Sequence, residues 1–100
     1  MGGEKPREVT GSGSAVSVRI AYLSVLREQS GTRMDKILLP AGSTLSAVAD
    51  WLRVNRGIAA PGSTFMSTLN GHGWNRLPNG LATEIHEGDE ITLFPLLSGG

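Results

Sequence analysis

The 100 residues include no cysteine, which excludes disulfides, a thiol nucleophile and any sulfur ligand for a metal. Only two histidines, His72 and His86, are present, and neither has a second histidine at metal-ligand spacing, so zinc is not expected. A nucleophilic triad lacks its base and orienting group for the same reason. No apolar run approaches 18 residues, so the sequence offers neither a membrane-spanning helix nor a signal-peptide core, and a cytoplasmic location is expected. Excess charge is missing too. Nine Lys and Arg balance nine Asp and Glu, which argues against the basic footprint of a nucleic-acid or anionic-membrane binder.

That balance hides an asymmetry. All nine basic residues fall before position 77, whereas residues 77 to 100 carry four carboxylates, Glu84, Glu87, Asp89 and Glu90, with no Lys or Arg. These have no EF-hand spacing and read as a solvated acidic loop. "GSGS" and "NGHG" lack the strand-to-helix context of a phosphate-binding glycine loop.

Residues 1–15, "MGGEKPREVTGSGSA", hold too little apolar surface to offset the entropy of ordering them, and are expected to form a flexible tail. Residues 16–100 then form one small domain. Val16, Val18, Ile20 and Tyr22 alternate with smaller or polar residues at the period of a half-buried strand. "SVLREQSGT" reads as a connection turning at Gly31, and "RMDKILLP" as a second strand completing a hairpin. Leu45, Val48, Ala49 and Leu52 form one helical stripe, preceded by Ser43 or Thr44 as cap and followed by Gly57 as stop. Trp51 lies at the rim of that stripe.

"TFMSTLNG" predicts a third strand ending in an Asn70-Gly71 hairpin turn, with a short fourth strand over Trp74 to Leu77. A turn at Asn79-Gly80 and another at Gly88-Asp89 lead into a last strand over Glu90 to Leu96. Hairpin, helix, hairpin and final strand make an α+β domain with one helix on one face of a small sheet.

Side-chain chemistry is thus poorly represented, and attention passes to the ending, "ITLFPLLSGG". Taken with "LREQSGT" at 26–32, "STLSAVADWL" at 43–52, "LNG" at 69–71 and "GDEITLF" at 88–94, it resembles the small sulfur carriers of the ubiquitin-like β-grasp fold. That family includes the molybdopterin synthase small subunit and the thiamine-pathway sulfur carrier. The resemblance covers about residues 16–100 and implies a mixed sheet of about five strands with one main helix.

It also implies a mechanism without side-chain catalysis. An E1-like enzyme would use ATP to adenylate the carboxylate of Gly100, and a sulfur donor would displace AMP to leave a thiocarboxylate. The carrier itself would bind no cofactor and would not be an enzyme. Gly99 and Gly100, lacking Cβ atoms, suit passage through a narrow partner channel. Leu97, Ser98 and Gly99 would line that arm, and Phe94 would contact the partner, unless it is simply core. The expected partners are the adenylating enzyme and a molybdopterin synthase large subunit or an equivalent sulfur acceptor, with no nucleic acid and no membrane. Leu96 stands where many synthase small subunits have proline. "NGLATEIHEGDEIT" also looks like carriers for cysteine synthesis and "GDEITLF" is compatible with the thiamine carrier, while a ubiquitin-like modifier would use the same activation.

Overall fold

The computed structural model describes residues 14–62 and 64–96. Residues 1–13 of the expected tail, together with Leu97, Ser98, Gly99 and Gly100, lie outside them.

The first strand, β1 (Ala15–Tyr22), begins one residue before the predicted Val16. Its register with β2 (Met34–Pro40) is antiparallel, from Ala15 opposite Pro40 to Ala21 opposite Met34. Between them lies an element that the sequence reading missed. Residues 25–30 form a short helix, α1 (Val25–Ser30), closed by Gly31 in the left-handed conformation. Six residues are too few to show a helical period. The helix is held instead by Leu26, buried in the core, and by Ser30 Oγ, which donates to the Arg27 and Thr32 carbonyls.

The main helix, α2 (Leu45–Arg56), has the predicted bounds. Thr44 occupies the N-cap position, although its side chain makes no capping bond. Gly57 ends the helix in the left-handed region, and its N–H donates back to the Leu52 and Arg53 carbonyls, which few side-chain-bearing residues could do without strain. Leu45, Val48 and Leu52 are buried, while Ala49 and Trp51 pack on the rim of the core.

Strand β3 (Phe65–Leu69) turns through Asn70 and Gly71, both at positive φ, into β4 (His72–Gly73). Two positive φ values define the tight turn whose twist suits a hairpin. The turn places His72 directly opposite Leu69, so the fourth strand begins at once and ends at Gly73. The strand expected over Trp74 to Leu77 is therefore misplaced: Trp74–Arg76 is a 3-10 turn that carries the indole into the core. Gly80–Ala82 forms a second 3-10 turn.

The last strand, β5 (Glu90–Pro95), enters the middle of the sheet, parallel to β1 and antiparallel to β3, giving the order β2-β1-β5-β3-β4. A small mixed sheet with one main helix on one face results. Val18, Ile20, Tyr22, Ile91 and Leu93 on that face share the core with the α2 stripe. No described helix is long and apolar enough to cross a membrane.

Candidate functional site

Because β1 and β5 are parallel neighbours, both run out at the same end of the sheet. Leu23 N–H donates to the Leu93 carbonyl at 3.0 Å, and Leu96 N–H donates to the Thr64 carbonyl at 3.2 Å. β5 is thus held on both sides, up to Leu96.

Phe94 is where the sequence reading left two options. Leu93 is fully buried against α2, so alternation turns Phe94 to the opposite, helix-free face. There it is half-buried, directly across from Met66 on β3. Of the site residues expected from the sequence, Phe94 alone belongs to the described part. Leu97, Ser98, Gly99 and Gly100 follow it outside the described residues.

The same face carries residues that sequence reasoning did not assign. Ala21 and Thr92 are paired in register, and Met34 pairs with Ala21 on the next strand. Met34 is 50% exposed and Leu38 is 70% exposed. In "MDKILLP" the apolar residues 37 to 39 run together, so period-two reading cannot say which side of the strand each takes. Register resolves it: Ile37 is buried toward α2, whereas Leu38 and Met34 stand on the open side. With Met66 and Phe94 they make that face richer in large apolar side chains than solvent contact requires.

Rigidity beneath this face comes from a polar clamp that the sequence did not advertise. Tyr22 Oη donates to Asp35 at 2.7 Å, and Arg56 donates to both carboxylate oxygens of Asp35, through Nε at 2.8 Å and Nη2 at 2.6 Å. The forked geometry ties the C-terminal end of α2 to β1 and β2. The Arg56 guanidinium also sits 5.5 Å from the centre of the Trp51 ring. Hydrogen bonds from Arg56 hold the Asp35 carboxyl below its ordinary range. Burial, reinforced by the Asp35 hydrogen bond and charge, pushes the Tyr22 hydroxyl well above its own.

The acidic loop is absorbed by local structure. Glu87 accepts from Ser17 N–H at 2.8 Å, Asp89 accepts from His86 N–H at 2.7 Å and from the Asn70 amide at 3.0 Å, and Glu90 lies 3.9 Å from Arg19. His72 and His86 are exposed. Among the described residues there is no cluster of three His, Asp or Glu that could hold a metal.

The ThiS family profile matches residues 20–100. No curated protein matches the chain. Several solved structures share its fold. SAMP1 from Haloferax volcanii, a small archaeal modifier protein, has a TM-score of 0.67 at 22% identity over 84% of this chain and 99% of that one. A putative molybdopterin converting factor subunit 1 from Pyrococcus furiosus gives 0.67 at 19%, covering 82% and 99%. The Amycolatopsis orientalis BexX/CysO complex contains a chain that gives 0.58 at 20%, covering 83% and 99%. At these identities the likeness is one of fold. The profile, which runs from the end of β1 through the main helix to the glycine ending, goes further: this chain belongs to the ThiS family of ubiquitin-like sulfur carriers.

Proposed function

We propose that the chain carries sulfur as a thiocarboxylate on Gly100 and delivers it in molybdenum cofactor biosynthesis, to a molybdopterin synthase large subunit or an equivalent acceptor. The observation that carries the reading is the family match extending to Gly100, five residues beyond the strand that lies in mid-sheet. Neither of the two described histidines has a partner set for catalysis, which fits a carrier acted on by other enzymes.

The chemistry follows from the weakness of a carboxylate as an electrophile. An E1-like enzyme transfers AMP from ATP to the Gly100 carboxylate, releasing pyrophosphate. Hydrosulfide released by a sulfur donor then attacks the acyl carbon and AMP departs, leaving the sulfur bound to that carbon. The resulting thiocarboxylate sulfur is an anionic, polarisable nucleophile, and hydrolysis of the acyl link it forms on its acceptor returns the carboxylate. Leu97, Ser98 and Gly99 thread the partner, where a glycine without Cβ fits a narrow channel.

Phe94, Met66, Met34 and Leu38 supply the apolar face against which a partner would seat. Two structural neighbours support partnership of this kind: one is a complex of subunits 1 and 2 of molybdopterin-converting factor from Helicobacter pylori, the other the BexX/CysO complex.

A second reading rests on the fold shared with SAMP1 and CysO: the same activated Gly100 could serve cysteine or thiamine synthesis, or be joined to a lysine amine as a modifier. The pathway test loads the carrier with sulfur and offers it to a molybdopterin synthase large subunit with its pterin precursor. Dithiolene formation supports the first reading. Discharge only to a cysteine-forming or thiazole-forming acceptor, or lysine-linked adducts, overturns it.

A further inference from the structure

The two Asn-Gly pairs, Asn70-Gly71 and Asn79-Gly80, share a sequence but not a structure. At the first, the asparagine side chain is engaged at both ends. Its Nδ2 donates to Asp89 Oδ1 at 3.0 Å and its Oδ1 accepts from Glu90 N–H at 2.9 Å. The Asn70 N–H also donates to the Glu90 carbonyl at 2.7 Å. The turn between β3 and β4 is thereby fastened to the head of β5, in the middle of the sheet.

Asn79 has none of these supports. It is exposed, and it stands before the 3-10 turn Gly80–Ala82 without a side-chain capping bond. No residue of that turn is buried, and no heavy atom lies within 4 Å of the place a Cβ would take on Gly80. Backbone bonds hold the turn: Gly80 N–H donates to the Leu77 carbonyl at 3.0 Å, and Ala82 N–H to the Asn79 carbonyl at 2.9 Å. A segment with no buried side chain and exposed backbone bonds opens at low free-energy cost.

Opening exposes a reaction between neighbours. Asn79 sits at ψ 3°, which keeps the Gly80 nitrogen on the Leu77 carbonyl. Once that bond is released, rotation about ψ brings the nitrogen to the Asn79 side-chain carbon, and the absence of a Cβ on Gly80 leaves the approach unshielded. The nitrogen gives up its proton and bonds to Cγ; the bond from Cγ to Nδ2 breaks, and ammonia departs. Water then opens the imide at either of its two carbonyls, leaving aspartate or a chain rerouted through the side chain as isoaspartate. No electrons are gained or lost.

We propose that Asn79 is a site of spontaneous deamidation in the folded chain, and that the bonds to Asp89 and Glu90 protect Asn70 from the same reaction. The product adds a carboxylate to the four already carried by residues 77 to 100. The site is independent of the Gly100 chemistry.

The test incubates the full chain in mildly alkaline buffer, below its melting temperature, and samples it over days. Cleavage after Arg56 and Arg76 puts Asn70 and Asn79 on separate peptides, and fragment masses assign each change of amide to acid. Asn79 should convert at least about tenfold faster than Asn70, the ratio that one or two net hydrogen bonds sustain. In urea that unfolds the chain the two rates should converge, because glycine follows both asparagines. Asp89→Ala, which removes the acceptor of the Asn70 amide, should speed Asn70 by up to about tenfold without changing Asn79. Asp89→Asn, which keeps an acceptor there, should hold Asn70 near its original rate; both variants are compared below their own melting temperatures. An Asn79 that stays intact, or an Asn70 that converts as fast in the folded chain, overturns the proposal. So does a rate ratio that persists in urea, or an Asn70 rate that Asp89→Ala leaves untouched.

Discussion

The two faces of the sheet are built from alternate residues of the same strands, yet they differ in almost every physical respect. Toward α2, Val18, Ile20, Tyr22, Ile91 and Leu93 are fully excluded from solvent. On the other side, Met34 and Leu38 stand in solvent and Phe94 is half-buried. One face stabilises the domain; the other leaves apolar surface uncovered, which stability alone does not require. Neighbouring residues on β5 make the contrast sharpest, since Leu93 and Phe94 differ by one position and by the direction of one side chain.

That contrast can be broken by substitution. Leu93→Ala removes a fully buried side chain and should cost about 2–5 kcal/mol in urea unfolding. Phe94→Ala should cost about 1 kcal/mol in the same assay, because it gives up only partly buried area. In titration calorimetry against the adenylating enzyme or the acceptor, it should weaken binding at least about tenfold, as expected for an aromatic anchor. Equal stability losses at 93 and 94 would mean that the two faces are not distinct.

The clamp offers a second test, because its stabilisation depends on pH in a defined way. Asp35 has a folded pKa below its unfolded value of about 3.9, so its contribution is present above that value and is lost as pH falls through the folded one. Tyr22 has a folded pKa above its unfolded value of about 10, so its contribution is present below that value and is lost as pH rises through the folded one. Thermal melts across pH should therefore fall off at both extremes. Asp35→Asn should lower the melting temperature at pH 7 and flatten the acid arm, while the alkaline arm, rooted first in burial of Tyr22, persists. Tyr22→Phe should flatten the alkaline arm alone.

The smallest effect is expected at Leu38. Leu38→Ser should change stability by no more than about 0.5 kcal/mol despite removing a large apolar side chain, because the residue is 70% exposed. A larger loss would place Leu38 in the core and remove one support for the open face.

Strong periodic signals made much of this architecture readable in advance. The α2 stripe with its glycine stop, the alternation of β1 and the Asn70-Gly71 turn each declare themselves locally. The short α1 helix did not, since six residues held by Leu26 and Ser30 acquire their shape from packing. The β4 error had a related cause: once the turn sets Leu69 opposite His72, strand pairing is complete by Gly73, and Trp74 is drawn inward instead. The clamp was hidden because Tyr22, Asp35 and Arg56 are remote in sequence and meet only after folding. Phe94 was readable as a candidate but not as a residue of the open face, because a strand sequence gives alternation without saying which face is covered. The face itself emerged only from register.

Sulfur loading at Gly100 is read out by intact-mass spectrometry. The chain is incubated with ATP, an E1-like adenylating enzyme and a sulfur donor, beside a variant lacking Gly100 that melts at the same temperature. A carrier loaded on Gly100 gives a species in which one oxygen has been exchanged for sulfur in the full chain and none in the shortened one. An unchanged mass with every adenylating enzyme that loads its own carrier, or equal sulfur incorporation without Gly100, would contradict it.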